Sequence, residues 1–259
     1  MMLSETELQH YNDKGWVVPD YRVPAALLAE AQRRADAMFA ARPDYADLYP
    51  DLLDADIWFL EIAREPGLLD MLAQVLGPEI VLWTGAIFGK PAGAGKATPW
   101  HQDGEYWPIR PLATATVWVA LDASTPENGC LRVIDGSHRD ARLYPHRTRA
   151  AADVTLHQEL DPAFLDESRV SGIVLEPGQV SIHDVYLVHG SEPNRSASRR
   201  AGITYRYMPG GAHFDRALSA EQHREKGVTD LSQRDLYLLR GEATKCPNAG
   251  NLTPLPGRG

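Results

Sequence analysis

The sequence predicts a mainly β fold with flanking α-helices, in which short antiparallel strands form a sandwich or a barrel. After Gly77 the pattern changes from helical spacing to short segments rich in β-branched and aromatic residues. Turn-forming pairs such as Pro177-Gly178 separate those segments. No helical pattern appears between residues 112 and 136, where a parallel βαβ fold would need a crossover helix. Antiparallel pairing is therefore favoured.

The N-terminal part of the chain has helical patterns. Ser4 and Glu7 have the spacing of a capping box, which predicts a helix over about residues 5–13. An Ala- and Leu-rich stretch that ends near residue 41 predicts a second helix, and the apolar segment 66–76 predicts a third. We therefore expect helices to pack outside the β core.

The strand-forming segments follow the helices and define the expected domain. They cover residues 80–90, 114–121, 130–134, 172–175, 179–188 and 200–208, with a short strand at 16–18. We expect a single domain, 1–259. It consists of a mostly helical N-terminal part (1–77), a β core (about 78–210) and a C-terminal extension (211–259).

Composition excludes several classes of protein. The chain has 26 Lys and Arg against 35 Asp and Glu, a net charge of −9, which argues against nucleic-acid binding because that needs a basic surface. Its longest apolar runs are far shorter than the roughly 20 residues of a membrane span. Two cysteines cannot form a disulfide framework, and the acidic N-terminus resembles no targeting segment. We therefore expect a cytoplasmic protein without a membrane or nucleic-acid partner.

Histidine and aspartate recur at a spacing that suits a metal site. The chain contains three His-x-Asp motifs, at His101/Asp103, His138/Asp140 and His213/Asp215. Composition alone predicts about 0.7 such motifs, so the motif by itself is weak. On a strand, residues i and i+2 point to the same side and can supply two metal ligands. A third ligand from a distant strand would complete the two-histidine, one-carboxylate triad that binds Fe(II).

Context separates the three motifs. His101 and Asp103 follow a glycine-rich loop and precede aromatic residues, so we expect this motif to begin a strand. The other two motifs lie in polar segments and are expected to be solvated loops. His189 ends a predicted strand just before a glycine that permits close backbone approach, so it is the preferred distal ligand. His183 is the alternative ligand, or a core residue.

Arg200 lies eleven residues after His189 and begins an apolar strand. A hairpin would return it beside His189. A buried arginine needs a partner, and a dicarboxylate cosubstrate would provide one in bidentate form. The alternative is an ordinary surface arginine.

Together these residues resemble the phytanoyl-CoA dioxygenase family, whose members are Fe(II)- and 2-oxoglutarate-dependent oxygenases. The resemblance spans roughly residues 80–208. It is carried by Trp100-His101-Gln102-Asp103, Tyr106-Trp107, Val117-Trp118-Val119-Ala120-Leu121, Asn128-Gly129-Cys130-Leu131, Gly136-Ser137-His138, His189-Gly190-Ser191, Asn194 and Arg200.

The resemblance implies a double-stranded β-helix, that is, a cupin-like jelly roll. It assigns the metal to His101, Asp103 and His189, and 2-oxoglutarate to Arg200, Ser191 and Trp118. It implies a dioxygenase that uses Fe(II), 2-oxoglutarate and O₂, hydroxylates a small molecule, and releases succinate and CO₂. Related halogenases have a small residue where this chain has Asp103, so hydroxylation or another oxidation is favoured over halogenation.

The substrate is less well indicated. The expected pocket residues are Glu105, Tyr106, Trp107 and Arg110. The segment 138–149 has four arginines against one aspartate, which suggests a lid for an anionic substrate or, alternatively, a solvated loop. A monomer or a homodimer is expected. The alternative functions are a cupin-like isomerase or hydrolase that uses another metal and no 2-oxoglutarate, and a catalytically silent binding module.

Overall fold

The three predicted helices are confirmed, and three further helices accompany them. The structure, a computed structural model, describes residues 1–149 and 151–257. The helices are α1 (Glu5–Lys14), α2 (Ala25–Ala41), α3 (Leu52–Ala55), α4 (Leu60–Ala63), α5 (Pro66–Leu76) and α6 (Arg216–Lys226). Helix α1 begins with the predicted capping box, in which Ser4 and Glu7 bond each other's backbone amide.

The strands also match the predicted segments, with several short additions. They are β1 (Trp16–Val17), β2 (Leu48–Tyr49), β3 (Ile80–Lys90), β4 (Thr98–His101), β5 (Ile109–Arg110), β6 (Ala115–Ala120), β7 (Leu131–Ile134), β8 (His146–Thr148), β9 (Gln158–Leu160), β10 (Val170–Ile173), β11 (Val180–Asp184), β12 (His189–Ser191), β13 (Arg200–Pro209), β14 (His213–Phe214) and β15 (Tyr237–Arg240).

Two antiparallel sheets form the core. The larger sheet has the order β1-β11-β6-β13-β3-β15, with β2 also paired to β3, and the smaller has the order β10-β7-β12-β4. From β3 to β13 the chain passes repeatedly between these sheets, with β3, β6, β11 and β13 in one and β4, β7, β10 and β12 in the other. The double-stranded β-helix, or jelly roll, is confirmed.

The central strand β13 separates the helical layer from the interior of the barrel. Because side chains alternate along a strand, Ile203, Tyr205 and Tyr207 all face the helices and join their apolar core. The Tyr205 hydroxyl donates to the carbonyl of Phe59 at 2.7 Å, and the Tyr207 hydroxyl donates to that of Ala63 at 3.0 Å. The intervening residues face the space between the two sheets.

Two local expectations near the site were wrong. His101 ends β4 instead of beginning a strand, and Asp103 begins a 3₁₀ turn that runs to Tyr106. Leu112 packs closely against this turn, since a Cβ on Gly104 would lie 2.6 Å from the Leu112 side chain. Arg200 does not return beside His189 in one hairpin, because the connection after β12 crosses from the smaller sheet to the larger one.

The C-terminal extension carries structure that the sequence pattern did not reveal. Asp215 caps the polar helix α6 by accepting a hydrogen bond from the Leu218 amide at 2.9 Å, and β15 adds to the larger sheet beside β3. Among the helices of the described ranges, none has the length and apolar character needed to span a membrane.

Candidate metal centre

The three predicted metal ligands lie together between the two sheets. His101 and His189 are direct cross-strand partners on β4 and β12, and their ring centroids are 4.2 Å apart. Asp103 approaches both from the turn after β4, with its Oδ1 3.7 Å from His101 Nε2 and 3.9 Å from His189 Nε2. All three residues are buried, and one ligand atom from each lies within 4.8 Å of the others.

Backbone carbonyls determine the orientation of both imidazole rings. His101 Nδ1 lies 2.8 Å from the carbonyl oxygen of Pro99, and His189 Nδ1 lies 2.9 Å from that of Leu187. A carbonyl oxygen can only accept, so each Nδ1 is the donor, which leaves each Nε2, on the side that faces Asp103, as the nitrogen available to a metal ion. Each histidine thus uses the carbonyl two residues before it, a pairing that orients metal-binding histidines.

The surroundings of the triad keep Asp103 ionised and His189 neutral. Burial alone would raise the pKa of Asp103, but the charge of Arg206, together with the adjacent side chains of His101, His183 and His189, holds that pKa well below its usual value. Burial, together with the neighbouring charge of His101, holds the pKa of His189 well below its usual value. Thr116 Oγ1 donates to Asp103 Oδ2 at 3.2 Å and fixes the carboxylate.

This donor set fits Fe(II). Two neutral imidazole nitrogens and one carboxylate form the triad that holds non-haem iron on one face and leaves other positions open. His183 lies beside the triad, with its Nε2 3.7 Å from Asp103 Oδ2, and within the described residues neither of its ring nitrogens has a hydrogen-bond partner. It is therefore an additional buried imidazole next to the three ligands, a position that fits both the core residue and the alternative ligand considered for it.

A pocket of about 480 Å³, part of it open to solvent, extends from the triad between the sheets. The residues that line it are Phe88, Thr98, His101, Asp103, Thr116, Trp118, Leu131, His183, His189, Ser191, Arg200, Thr204 and Arg206. Ser191, Trp118 and Arg200, which the resemblance assigns to 2-oxoglutarate, therefore share one pocket with the triad.

Arg200 lies in this pocket without a counter-ion. It is 4% exposed, and its Nη2 donates to the carbonyl of Gly129 at 2.6 Å. No described carboxylate lies within 4.0 Å, and its Nε has no hydrogen-bond partner. The guanidinium lies 5.5 Å from the ring of Trp118, which has room because residue 202 is glycine. Burial lowers the pKa of Arg200 to about 10, so it stays charged at neutral pH.

Lys90 brings a second cation to this end of the pocket. It is the cross-strand partner of Arg200 and is 1% exposed. Its Nζ donates to the carbonyl of Lys96, and its stem packs against the position of Gly129. Burial, aided by the charge of Arg200, lowers the pKa of Lys90 to about 7. Among the described residues, neither Arg200 nor Lys90 has a carboxylate within 4.0 Å, so the charge of Arg200 makes this end of the pocket suitable for an anion.

The four expected substrate residues lie outside this pocket. Glu105, Trp107 and Arg110 border a separate surface depression. Trp107 is also part of an apolar cluster, 4.7 Å from the ring of Trp83, and it packs with Tyr106. Arg110 is exposed and donates to the carbonyl of Ile109 at 2.8 Å.

The remaining motifs lie away from the triad. His138 Nε2 is 3.1 Å from the carbonyl of Asn12, His213 is exposed, and Asp215 caps α6. Within the basic segment 138–149, Arg147 and Arg149 pair with Glu159 in the β8–β9 hairpin. Arg139 also lies 3.9 Å from Asp13, so three of the segment's four arginines pair with carboxylates, as the solvated-loop alternative expects.

Gln102 connects this segment to the triad. It is fully buried between two of the ligands in sequence. Its Nε2 donates to the carbonyls of Arg142 at 2.9 Å and Tyr186 at 2.7 Å, and its Oε1 accepts from the amide of Tyr144 at 2.8 Å. The amide of Gln102 donates to His146 Nε2 at 3.0 Å.

Sequence reasoning missed Lys90, Thr116 and Arg206. A signal for Arg206 was present, because residues 200, 202, 204 and 206 of a strand share one face. Because side chains alternate along a strand, an Arg200 that faces the interior implies that Arg206 faces it as well. Lys90 and Thr116 carried no such signal, since their positions depend on strand pairing.

Comparison with known proteins places the chain in a family. The model of the phytanoyl-CoA dioxygenase (PhyH) family matches residues 3–202. The peroxisomal phytanoyl-CoA dioxygenase of Bos taurus is 28% identical over 200 residues, which cover 70% of this chain and 58% of the bovine protein. A probable alpha-ketoglutarate-dependent hypophosphite dioxygenase of Stutzerimonas stutzeri is 29% identical over 178 residues, with coverage of 66% and 58%. The chain thus spans little more than half the length of these relatives.

Solved structures support the same fold. The apo form of the non-heme monooxygenase ThoJ superposes with a TM-score of 0.71 at 24% identity, covering 95% of this chain and 86% of ThoJ. EvdO2 from Micromonospora carbonacea var. aurantiaca, complexed with 2-oxoglutarate, superposes with a TM-score of 0.66 at 21% identity, with coverage of 82% and 93%. These likenesses show the fold, and the family match covers most of the sequence. The chain belongs to the phytanoyl-CoA dioxygenase family.

Proposed function

We propose that this protein is an Fe(II)- and 2-oxoglutarate-dependent dioxygenase that hydroxylates a small molecule. One observation carries the proposal. A single pocket holds a triad of two imidazoles and a carboxylate together with Arg200, a buried guanidinium that has no counter-ion among the described residues. A metal ion alone would need no such arginine, whereas a dicarboxylate that binds both features would need it.

The residues of the chain have distinct roles in this proposal. His101, Asp103 and His189 hold the metal, and Arg200 binds the far carboxylate of 2-oxoglutarate with Ser191 nearby. Bound Fe(II) would supply the activation of O₂. One oxygen atom would enter succinate as 2-oxoglutarate loses CO₂, and the other would be inserted into a substrate C–H bond. The Pro99 and Leu187 carbonyls keep both imidazoles in the metal-binding tautomer. The burial of these groups excludes water and strengthens their electrostatic interactions.

Hydroxylation is preferred over halogenation because Asp103 occupies the position at which related halogenases have a small residue. The names of the relatives include phytanoyl-CoA and hypophosphite, which differ in chemistry, so the proposal stays with a small molecule. We further propose a cytoplasmic location, which the two free, buried cysteines, Cys130 and Cys246, support.

An anaerobic titration tests the proposal. Metal-free protein receives Fe(II) and then 2-oxoglutarate, and the visible absorption spectrum is recorded. The oxygenase should develop a weak charge-transfer band only when both are present, and admission of air should yield succinate. A cupin-like isomerase or hydrolase, the remaining alternative, should show neither response. Absence of both responses in protein that binds Fe(II) would reject the dioxygenase.

A further inference from the structure

The pocket of the triad contains a second arginine that 2-oxoglutarate does not require. Arg206 follows Arg200 by six residues on β13, so both side chains emerge on the interior face of the strand. At about 3.4 Å per residue, their Cα atoms are roughly 20 Å apart along the strand. Arg206 is next to Thr116 across the β13–β6 ladder, whereas Arg200 is next to Lys90 across the β13–β3 ladder. The two arginines therefore serve different ends of the pocket.

The surroundings of Arg206 leave its guanidinium largely without hydrogen-bond partners. No carboxylate lies within 4.0 Å of it in the described part of the chain. Its buried Nε has no hydrogen-bond partner, and its Nη1 makes one long contact, 3.4 Å, with Thr204 Oγ1. By contrast, Arg199, which immediately precedes β13, donates to Asp122 and Asp36 at 2.7 Å. Arg206 lowers the pKa of Asp103 through its charge but makes no ion pair with that carboxylate within 4.0 Å. A buried arginine whose N–H groups lack partners is costly unless a ligand supplies them.

Aromatic rings orient this guanidinium. Its central carbon lies 5.3 Å from the Trp107 ring centroid and 5.9 Å from that of Phe88. Such contacts use the face of the guanidinium and leave the N–H groups of its edge available. An edge of this kind matches the two oxygens of a carboxylate in bidentate geometry.

The charges in the pocket with Fe(II) and 2-oxoglutarate bound indicate how much negative charge a substrate should carry. If the proposed function holds, the two positive charges of Fe(II) and the charge of Arg200 offset Asp103 and the two carboxylates of 2-oxoglutarate. The charge of Arg206 then remains uncompensated among the groups that line the pocket. One negative charge restores the balance, which suits a carboxylate better than a phosphate monoester, whose charge at neutral pH is about −1.5 to −2.

Building on the proposed function, we propose that Arg206 is a specificity-determining residue that binds the carboxylate of a monoanionic small-molecule substrate. This assigns the anion-binding role to the pocket itself rather than to the basic segment 138–149. It also separates the two arginines by ligand, with Arg200 for the cosubstrate and Arg206 for the substrate.

Calorimetry with matched probes tests this assignment. Protein loaded with Ni(II) is first titrated with 2-oxoglutarate and then with three acids and their primary amides, namely acetate and acetamide, hexanoate and hexanamide, and 3-phenylpropanoate and 3-phenylpropanamide. At least one acid should bind about tenfold or more tightly than its amide. Arg206→Gln should reduce that preference to about twofold or less and leave 2-oxoglutarate affinity within about twofold, since a lost bidentate pair affects only its own ligand.

Arg132→Gln is the control, because Arg132 lies on β7 and pairs with Glu192 outside the pocket, so the acid preference should persist. If Arg206→Gln shows no cooperative thermal unfolding transition, Arg206→Lys replaces it. That variant should lower the preference for the acid over its amide at least threefold, because lysine keeps the charge but cannot form a bidentate pair with a carboxylate.

Three results would overturn the assignment: no acid preferred over its amide, a preference that survives loss of the guanidinium, or a loss of 2-oxoglutarate affinity instead. Failure of 2-oxoglutarate to bind the Ni(II) protein would instead reject the proposed function.

Discussion

His101 and His189 face each other across the β4–β12 ladder, and their ring centroids are 4.2 Å apart. Strand register therefore sets the separation of the two imidazole ligands, whereas Asp103 is added by the turn that follows β4. A shift of one residue in this register would turn one imidazole to the opposite face of the sheet. The geometry of the metal site depends on the pairing of two short strands.

Removal of one imidazole should abolish metal-dependent turnover. We expect His189→Ala to lose Fe(II) binding and succinate formation, because two remaining ligands cannot hold the metal in a triad. Anaerobic Fe(II) titration and succinate assays measure the two effects. His138→Ala is the matched control, since His138 contacts the carbonyl of Asn12 away from the triad. An equal loss in the control would show that the ligands were wrongly assigned.

Loss of Arg200 should act on the cosubstrate. Arg200→Gln leaves a buried carboxylate without its charged partner, which costs about 2–5 kcal/mol and should raise the Kd for 2-oxoglutarate at least about thirtyfold. Calorimetry on Ni(II)-loaded protein measures this value. Arg199→Gln, which removes the neighbouring arginine and its surface pairs with Asp36 and Asp122, should leave it nearly unchanged. If the Kd of Arg200→Gln equals that of the wild type, the cosubstrate carboxylate binds elsewhere.

Lys90 should make stability depend on pH above neutrality. Burial lowers its pKa to about 7 in the folded protein, from an ordinary value of 10.5. Between these values the unfolded chain binds a proton that the native protein has lost, so the free energy of unfolding should rise with pH from about 7 to 10. Lys90→Met should remove this slope relative to the wild type, in urea unfolding at pH 7, 8.5 and 10. Equal slopes in both proteins would show that Lys90 stays charged when folded.

Gly202 should be needed for the position of the Trp118 ring that lines the pocket. A Cβ at this position would lie 2.0 Å from the Trp118 ring. Gly202→Ala should therefore displace the ring, destabilise the protein by about 1–3 kcal/mol and weaken 2-oxoglutarate binding. Thermal melts and calorimetry report the two effects. Gly211→Ala is the control, because a Cβ there meets nothing within 4 Å, so stability and 2-oxoglutarate affinity should not change. A Gly202→Ala protein with unchanged stability and affinity would show that the Trp118 ring can shift without cost.

Many of the strands, and the candidate metal residues that the structure brings together, could be predicted from the sequence because strand-forming segments and the His-x-Asp motif are local patterns. β-Branched and aromatic residues between turn signals indicated β3 and β13, and the context of the His-x-Asp motif selected His101 and Asp103. The long-range pairing was less accessible. That Arg200 faces Lys90 rather than lying beside His189 follows from strand order in the larger sheet, which no short motif encodes.

The positions of the four proposed substrate residues relative to the triad were not accessible from the sequence for a related reason. Sequence proximity to the metal motif suggested Glu105 and Arg110, but the 3₁₀ turn at Asp103–Tyr106 directs the chain out of the pocket. Residues from distant strands, such as Phe88 and Arg206, line it instead. Proximity along the chain is a poor guide where a turn follows a ligand at once.

Gln102 joins the backbone of residues 142–146 and Tyr186 to the peptide that carries two metal ligands. A movement of this outer segment would pull on the metal motif through the two hydrogen bonds that the Gln102 side chain makes with Arg142 and Tyr144. Recruitment of a different substrate by remodelling the segment would therefore also readjust the iron ligands. Changes that keep this amide anchored would let the chain acquire new specificity without rebuilding its chemistry.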